Sequence, residues 1–389
     1  MPLILTACTA VSALGQGAAA HRAALLNQQG GLRPNDFDPS TGGWIGRVDG
    51  IEDHALPGLL AHYDCRNNRL ADMALRADGF MDHVAAASAR HGPGRIAVVL
   101  GTSTSGITAA EDAYRSRVGE GPLPTGFDYA HTQDLYSVAA FVRDALALRG
   151  PAFVVSTACA SSARCFMDAA QLIAAGIVDA AVVGGADSLC RMTLHGFAAL
   201  ELISPTPCRP CDGARTGISI GEAAGFALLE RDGDGIALLG AGASSDGYHM
   251  SSPHPEGAGA IAAMRQALAA AGLGPEGIDW INLHGTGTRA NDAMEDQAVH
   301  AVFGDTAPCS STKGWTGHTL GACGILEALI ARECMAEGVI PGCLGIDAPD
   351  PSFRARVAVG MERRPLRRVM SNAFGFGGIN CSLIFGAAH

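Results

Sequence analysis

Short apolar runs alternate with longer amphipathic stretches along most of the chain. The apolar runs predict strands at residues 3–9, 95–100, 152–156, 180–184, 223–229, 236–241, 278–283, 308–311, 368–372 and 381–385. The amphipathic stretches predict helices at residues 18–26, 161–175, 260–271, 290–302 and 320–336. This alternation favours an α/β protein in which a mixed, largely buried sheet lies between layers of helices.

The predicted elements form two series of similar rhythm, which indicates two related halves. We place the boundary near Asp246 and Gly247, so that residues 1–246 form an N-terminal half and residues 247–389 a C-terminal half. Each half ends in two adjacent strands. In the first half the pentapeptide RDGDG, residues 231–235, joins them and predicts a β-hairpin.

Composition indicates a large globular protein and excludes several functions. At 389 residues, 48% hydrophobic and 17% charged, the chain can bury a sizeable core. A net charge of −11 without a basic stripe argues against a general nucleic-acid binder. No apolar run approaches the roughly 18 residues of a membrane span, and the opening MPLILTAC lacks the charged region of a signal peptide. We therefore expect a cytoplasmic protein with its 12 cysteines reduced.

Cys159 lies in STACAS, where a predicted strand turns into a predicted helix. The unpaired N–H groups and the positive dipole at a helix start favour thiolate over thiol. Small neighbouring residues leave room for a substrate carbonyl to approach the sulfur. Cys159 is therefore a candidate nucleophile, and the alternative is a buried structural cysteine.

Two histidines occupy comparable positions in glycine-rich loops. His284 follows a predicted strand in INLHGTGT, and His318 lies in SSTKGWTGHTLGACG before a long predicted helix. A single histidine of this kind is more often structural than catalytic. Two of them, together with a cysteine at a helix start, favour catalysis.

Four motifs occur in order along the chain. They are STACAS around Cys159, HGTGT followed by Asn291 and Asp292, SSTKGWTGH through His318, and SNAFGFGGIN at residues 371–380. Together they resemble the β-ketoacyl-acyl-carrier-protein synthases of the type I/II condensing class. The resemblance implies a thiolase-like α/β fold, in which two related βαβαβαββ halves form a five-layered α-β-α-β-α core, and usually a dimer.

The resemblance maps a catalytic triad onto Cys159, His284 and His318. It implies that Cys159 attacks an acyl thioester and holds the acyl chain. Malonyl-acyl-carrier protein then loses CO₂, and the two neutral histidines stabilise the enolate oxygen. The carbanion attacks the acyl group on Cys159 and yields a 3-oxoacyl chain that is two carbons longer. The implied activity is the decarboxylating Claisen condensation of fatty-acid-type chain elongation.

The resemblance also assigns supporting roles. Lys313 would orient the His318 loop and Glu327 would neutralise Lys313, although an ordinary ion pair explains both residues nearly as well. The backbone N–H groups of Cys159 and Phe376 would form the oxyanion hole. Phe374 and Phe376 would gate the acyl pocket, and plain core aromatics are the alternative.

The implied partners are an acyl carrier protein and a second subunit, either identical or a related ketosynthase-like chain. No cofactor or metal is implied, because phosphopantetheine arrives on the carrier, and we expect neither nucleic acid nor membrane as a partner. The carrier is acidic, so a local basic patch is expected to dock it. Arg66 and Arg69 are candidates for that patch, with Arg164 and Arg209 near phosphopantetheine; solvated surface arginines are the alternative.

Three residues depart from the family pattern. Cys211 replaces a Phe, Arg289 follows HGTGT where Pro is common, and Cys323 replaces an Ala. These departures leave the triad intact but put the preferred chain length in doubt. Cys208 and Cys211 form a single CxxC without a second pair at zinc spacing, which argues against a zinc site.

Three alternative functions remain open. Residues 64–68 and 129–132 differ from those of housekeeping enzymes, which favours a dedicated aryl polyene or polyketide ketosynthase acting with a chain-length-factor-like partner. A non-catalytic chain-length partner would lack Cys159. A cysteine hydrolase would need one histidine as a general base and an orienting Asn or Asp.

Overall fold

The computed structural model describes residues 2–387 and contains each of the predicted strands and helices. The strands are β1 (Leu3–Ser12), β2 (Gly15–Gln16), β3 (Arg33–Pro34), β4 (Trp44–Gly46), β5 (Ile96–Gly101), β6 (Ala152–Val155), β7 (Ala180–Asp187), β8 (Ile220–Gly221), β9 (Ala223–Glu230), β10 (Ile236–Ser245), β11 (Trp280–Asn282), β12 (Cys309–Ser310), β13 (Val339–Ile340), β14 (Glu362–Arg363), β15 (Arg368–Gly375) and β16 (Ile379–Ala387). The helices are α1 (Ala18–Leu26), α2 (Arg66–Leu75), α3 (Phe80–His91), α4 (Ile107–Arg115), α5 (Tyr129–Thr132), α6 (Ser137–Ala145), α7 (Ser161–Ala174), α8 (Arg191–Ala199), α9 (Ala258–Ala271), α10 (Arg289–Phe303), α11 (Lys313–Thr316) and α12 (Cys323–Glu337).

One large sheet runs through the molecule, and its strand order repeats. From one edge to the centre the order is β6-β5-β7-β9-β1, and from the other edge it is β12-β11-β15-β16-β10. In the first half β5 is parallel to β6 and β7, and β9 lies antiparallel between β7 and β1. In the second half β11 is parallel to β12 and β15, and β16 lies antiparallel between β15 and β10. The two halves are therefore related in topology.

The predicted hairpin at residues 231–235 is wrong. The segment joins β9 to β10, but β1 lies between these strands, and Leu5 is paired with both Leu229 and Ile236. The glycines of the segment explain the path, since a Cβ on Gly235 would lie 2.0 Å from the Leu5 carbonyl oxygen. The glycine-rich segment can therefore cross closely over β1. At the end of the second half, β15 and β16 do form a hairpin.

Helices cover the sheet in layers. α7 and α12 pack against each other in the central layer, with α7 also on β5 and β7 and α12 on β15, β9 and β1. Because α12 lies between the two half-sheets, nearly its whole length is buried. Helices α2, α3 and α6 cover the outer face of the first half, and α9 and α10 cover that of the second. The layers follow the order α-β-α-β-α, as expected.

The second copy of the strand order begins at β10. The division of the chain at residues 246 and 247 stays a prediction.

Within residues 2–387, no helix combines the length and the apolar character that a bilayer crossing requires.

Both central helices begin at the same edge of the molecule. The chain passes from β6 through Cys159 into α7, and from β12 through His318 into α12. β11 leads into the loop of His284, and β15 ends at Gly375, where a Cβ would lie 3.1 Å from the backbone nitrogen of Cys159. Four connections therefore converge on one buried point.

Candidate active site

Cys159 lies in a sharp turn between β6 and α7. Ala158 adopts the left-handed conformation with φ of 49°, which is strained for a residue with a Cβ, and α7 begins two residues after the cysteine. The turn directs the Cys159 sulfur toward His318, whose Nε2 lies 3.0 Å from it. The fold therefore pairs the predicted nucleophile with one predicted histidine.

The expected preference of Cys159 for the thiolate form is wrong. Burial raises the pKa of the Cys159 thiol to about 11, although the Lys313 ammonium and the backbone N–H groups of Phe376 and Cys159 act in the opposite direction. Loss of hydration therefore outweighs the start of the helix. Cys159 rests as a thiol beside His318.

His284 and His318 face each other at the same point. Their rings are 5.2 Å apart at an angle of 83°, and a ligating atom from each lies within 4.8 Å of the other and of the Cys159 sulfur. Burial, and next the Lys313 charge, holds the pKa of each imidazole well below its usual value. Both rings are therefore neutral at physiological pH, and each carries one N–H donor.

Lys313 and Glu327 form a buried ion pair behind the histidines. Lys313 Nζ lies 2.6 Å from Glu327 Oε1, and both side chains are almost inaccessible to solvent. Burial opposes the charge of Lys313, but the Glu327 carboxylate outweighs burial and holds the pKa of Lys313 above its usual value. Lys313 is the chain's one lysine. Its charge adds to the effect of burial, which is the main reason that the neighbouring histidines are neutral.

The backbone N–H groups of Cys159 itself and of Phe376 are close enough to the Cys159 sulfur to lower the pKa of its thiol. Phe376 lies in the turn between β15 and β16, and the nearby Gly375 allows this turn to approach the nucleophile closely. Paired backbone donors at a nucleophile are the arrangement that stabilises a tetrahedral oxyanion.

Phe374 and Phe376 occupy different environments. Phe374 is buried on β15, with its ring 6.2 Å from that of His284. Phe376 is 36% exposed, and its ring lies 5.5 Å from that of Phe197. Of the two aromatic residues, Phe376 is therefore the one at a surface.

Two cavities meet at Cys159. The first, here called the Thr288 cavity, measures about 210 Å³ and is lined by both histidines, Thr286 and Thr288. The second, the Met192 cavity, measures about 310 Å³ and has a mainly apolar lining that includes Met192, Leu200 and Leu320. Phe197 and Phe376 line both cavities. The sulfur is therefore reachable from two sides, with Phe376 between them.

Two carboxylates fix the loop of His284: Glu295, which sequence reasoning passed over, and Asp292, which was noted in the motif without a role. Glu295 accepts hydrogen bonds from the backbone N–H groups of His284 at 2.8 Å and Gly285 at 2.7 Å, and burial raises the pKa of Glu295 to about 7. Asp292 accepts from the N–H of Gly287 at 3.1 Å. Asp292 and Glu295 share one face of α10, and this i, i+3 spacing behind HGTGT was the available signal.

A third carboxylate, Asp187, fixes the segment before α12. It accepts from the N–H of Gly321 at 2.6 Å and from the hydroxyls of Thr102, Ser103 and Thr104. The end of β7 is thereby tied to the loop that carries His318.

The two arginines predicted to dock the carrier, Arg66 and Arg69, and the two predicted near phosphopantetheine, Arg164 and Arg209, are all paired with carboxylates. Arg66 contacts Glu222 at 2.6 Å and Glu52 at 2.5 Å, and its side chain is only 11% exposed. The remaining pairs are Arg69 with Asp64 at 2.6 Å, Arg164 with Asp168 at 3.0 Å and Arg209 with Asp347 at 2.6 Å. These contacts leave little uncompensated charge for docking, and the docking roles stay predictions.

Two of the three residues that depart from the family pattern contact the site. The Cys323 thiol donates to the carbonyl of Cys159 at 3.1 Å, so it touches the backbone of the nucleophile. Cys211 has a φ of 65°, and its N–H donates to Asp292 at 2.9 Å. Both residues therefore pack against the segments that hold the triad.

Comparison with known proteins agrees with this geometry. The β-ketoacyl synthase N-terminal domain model matches residues 68–234, and the C-terminal domain model matches residues 236–347. Nodulation protein E of Rhizobium meliloti strain 1021 is 37% identical over 305 residues, which cover 75% of each chain. The 3-oxoacyl-[acyl-carrier-protein] synthase 2 of Vibrio cholerae is 30% identical over 360 residues, which cover 84% of this chain and 87% of that protein.

A solved structure matches over the full length. A ketosynthase from Xenorhabdus doucetiae, in complex with its chain length factor, has a TM-score of 0.91 at 42% identity and covers 100% of this chain and 98% of that chain. Fold and relatives thus define an acyl-transferring condensing enzyme. The chain belongs to the β-ketoacyl synthase family, which confirms the family and the fold predicted from sequence.

Proposed function

We propose that Cys159 is the nucleophile of a decarboxylating Claisen condensation between an acyl chain and malonyl-acyl-carrier protein. The observation that carries this proposal is the buried cluster at the junction of the two cavities. The Cys159 sulfur lies 3.0 Å from His318 Nε2, His284 completes the cluster, and two backbone donors face the sulfur. A cysteine hydrolase would need one histidine oriented by a side-chain acceptor, yet the Nδ1 atoms of both histidines lack a partner among the described residues.

In the first half-reaction the Cys159 sulfur attacks the thioester carbonyl of the donor. The N–H groups of Cys159 and Phe376 hold the tetrahedral oxyanion, and the departing thiol takes up the proton that Cys159 releases. The acyl chain extends into the Met192 cavity, whose mainly apolar lining suits a hydrocarbon chain.

In the second half-reaction the malonyl thioester enters through the Thr288 cavity. Its C–C bond to the carboxylate breaks, CO₂ leaves, and the electron pair forms an enolate. The N–H donors of His284 and His318 stabilise the enolate oxygen, and Lys313 keeps both rings neutral. The carbanion attacks the acyl carbonyl, and the Cys159 thiolate leaves and is reprotonated.

The second subunit is proposed to bind at β6. This strand forms one edge of the large sheet, and its four residues are only partly buried, whereas those of the neighbouring β5 and β7 are buried throughout. The opposite edge, β12, is covered by a bridge between Cys309 and Val357. An uncovered apolar edge strand is a ready site for pairing with another chain.

The proposed partner is a related chain-length-factor-like subunit. The ketosynthase at 42% identity was solved with such a factor, and that match covers this chain completely. An aryl polyene or polyketide chain is the corresponding product class. Fatty-acid-type elongation by a homodimer is the second candidate, favoured by the relative from Vibrio cholerae. In both cases the enzyme works in the cytoplasm without a cofactor of its own.

The proposed roles are tested by separating the two half-reactions. We expect His284→Ala to be acylated on Cys159 by an acyl-carrier protein but to release no CO₂ from malonyl-carrier protein, because one enolate donor is missing. Cys323→Ala is the control and should retain both steps. Intact-protein mass spectrometry measures acylation, and a coupled CO₂ assay measures decarboxylation. Undiminished CO₂ release by His284→Ala would refute the role of that histidine.

A further inference from the structure

Arg289 is an exposed residue that directly adjoins the lining of the Thr288 cavity in the chain. It is the first residue of α10 and lies between Thr288 and Ala290, which both line the cavity that leads to Cys159. The side chain of Arg289 itself is exposed. The long side chain of Arg289 can therefore reach a ligand that extends from this cavity into solvent.

The backbone beneath Arg289 is held rigidly. The buried guanidinium of Arg215 donates to the carbonyl of Arg289 at 3.3 Å and to that of Thr288 at 3.5 Å, and it is itself fixed by Asp350 at 2.7 Å. The Thr288 hydroxyl caps α10 by accepting from the N–H of Asn291. The Cα of Arg289 is therefore fixed, while its guanidinium is free to contact a ligand.

The charge of Arg289 is uncompensated. Among residues 2–387 no carboxylate oxygen lies within 4.0 Å of its guanidinium nitrogens, in contrast to the four arginines predicted to contact the carrier or its phosphopantetheine. The nearest acid on its own helix, Asp292, is engaged with Arg215 and with backbone N–H groups. A free guanidinium at a cavity rim is a strong site for an anion.

The cavity itself is unsuited to a phosphate. Apart from Asp246, its lining has no charged side chain at neutral pH, because both histidines are neutral. Asp246 is negative and is already bonded to Asn380 and to the N–H of His254. The uncharged pantetheine portion of a thioester arm fits this lining, and the phosphate at its outer end must remain at the rim.

We infer that Arg289 binds the phosphate of the phosphopantetheine arm and positions the thioester for Cys159. The inference rests on the proposed function, since it assumes thioester donors of that kind. It concerns a residue at which this chain departs from the Pro common in the family. The phosphate is the same chemical group whether the arm is on a carrier protein or on a free coenzyme A ester.

The test compares three acyl donors: an acyl-pantetheine without phosphate, an acyl-coenzyme A and an acyl-carrier protein. Acylation of Cys159 is followed by mass spectrometry to give kcat/KM for each donor. We expect Arg289→Gln to lower kcat/KM about tenfold for both phosphorylated donors, through KM, and to leave acyl-pantetheine unchanged. Arg289→Lys should restore part of the loss. Arg363→Gln, at another exposed arginine without a carboxylate partner, is the matched control and should change nothing.

Three results would overturn the inference. Equal kcat/KM for wild type and Arg289→Gln on every donor would show that the guanidinium binds nothing. An equal loss on acyl-pantetheine would assign Arg289 to the structure of α10. A loss on the carrier protein alone would assign it to acidic side chains of the carrier. Failure of wild type to accept any donor is a separate outcome, because it contradicts the proposed function and the inference with it.

Discussion

Two opposed effects of neighbouring groups determine the pKa of the Cys159 thiol. Burial removes hydration and raises the pKa to about 11, while the Lys313 charge and two backbone N–H groups lower it only in part. We propose that the same N–H groups stabilise an oxyanion, which forms only during reaction. The site therefore favours negative charge in the transition state more than it favours a thiolate in the resting protein.

This balance predicts how Cys159 reacts with alkylating reagents. Because the thiolate is the reactive form, the alkylation rate should rise about tenfold per pH unit from pH 7 to 9.5, without a plateau. Iodoacetamide labelling of Cys159, quantified by peptide mass spectrometry, measures the rate. A plateau at pH 8 would show a pKa well below 11.

We expect the protein to lose stability when the Lys313–Glu327 ion pair is broken. Lys313→Met leaves the Glu327 carboxyl buried without its partner, so the free energy of unfolding should fall by about 3–5 kcal/mol. The double variant Lys313→Met, Glu327→Gln removes both charges and should recover part of the loss. Urea denaturation measures both variants. Equal unfolding free energies for wild type and Lys313→Met would contradict a buried charged pair.

Sequence alone was sufficient to find the residues that we propose carry the reaction, and insufficient to find those that hold them in place. Cys159, His284 and His318 each follow a strand in a glycine-rich or small-residue turn, so local pattern revealed them. Glu295 and Asp187 act on backbone N–H groups of other segments. Such contacts leave no local pattern, because they depend on how separate elements pack. The pairing of Arg66 with Glu222 was hidden for the same reason.

At the scale of elements, the hydrophobic pattern found the long strands but missed several helices of the first half. The helix α2 was not predicted, because Asn67, Asn68 and Asp72 are buried on it and mask its apolar face. Asn68 donates to the Tyr63 carbonyl and to Ser137, which satisfies its amide nitrogen inside the core. The wrong prediction of a hairpin at residues 231–235 has another cause. A turn sequence predicts that the chain changes direction, but it does not determine which strands then lie next to each other.

The exposed edge of β6 predicts how association can be blocked. The Pro151 carbonyl accepts from Val98 on β5 and the Val155 carbonyl from Thr102 just after β5, so by the alternation of a parallel ladder the N–H of Val154 faces the open edge. Val154→Pro removes that donor and should abolish subunit association while the chain stays folded. Val154→Ile is the control. Analytical ultracentrifugation measures association and circular dichroism measures folding; a folded proline variant that still associates contradicts pairing at β6.

At the scale of the whole molecule, the repeated strand order explains why the site is central. Each half places a loop and a central helix at the same edge, so Cys159 just before α7 and His318 just before α12 meet at the junction of the halves. The two cavities approach this junction from different sides. An acyl chain and an incoming extender can therefore be held at one sulfur together.

The central claim is that Cys159 holds the chain which the histidines extend. The most direct measurement incubates the protein, together with its proposed partner subunit, with acyl- and malonyl-carrier protein and analyses protein and product by mass spectrometry. Wild type should show one acyl group on Cys159 and a 3-oxoacyl product two carbons longer, whereas Cys159→Ala should show neither. Acylation of another cysteine, or an extended product from Cys159→Ala, would contradict the account.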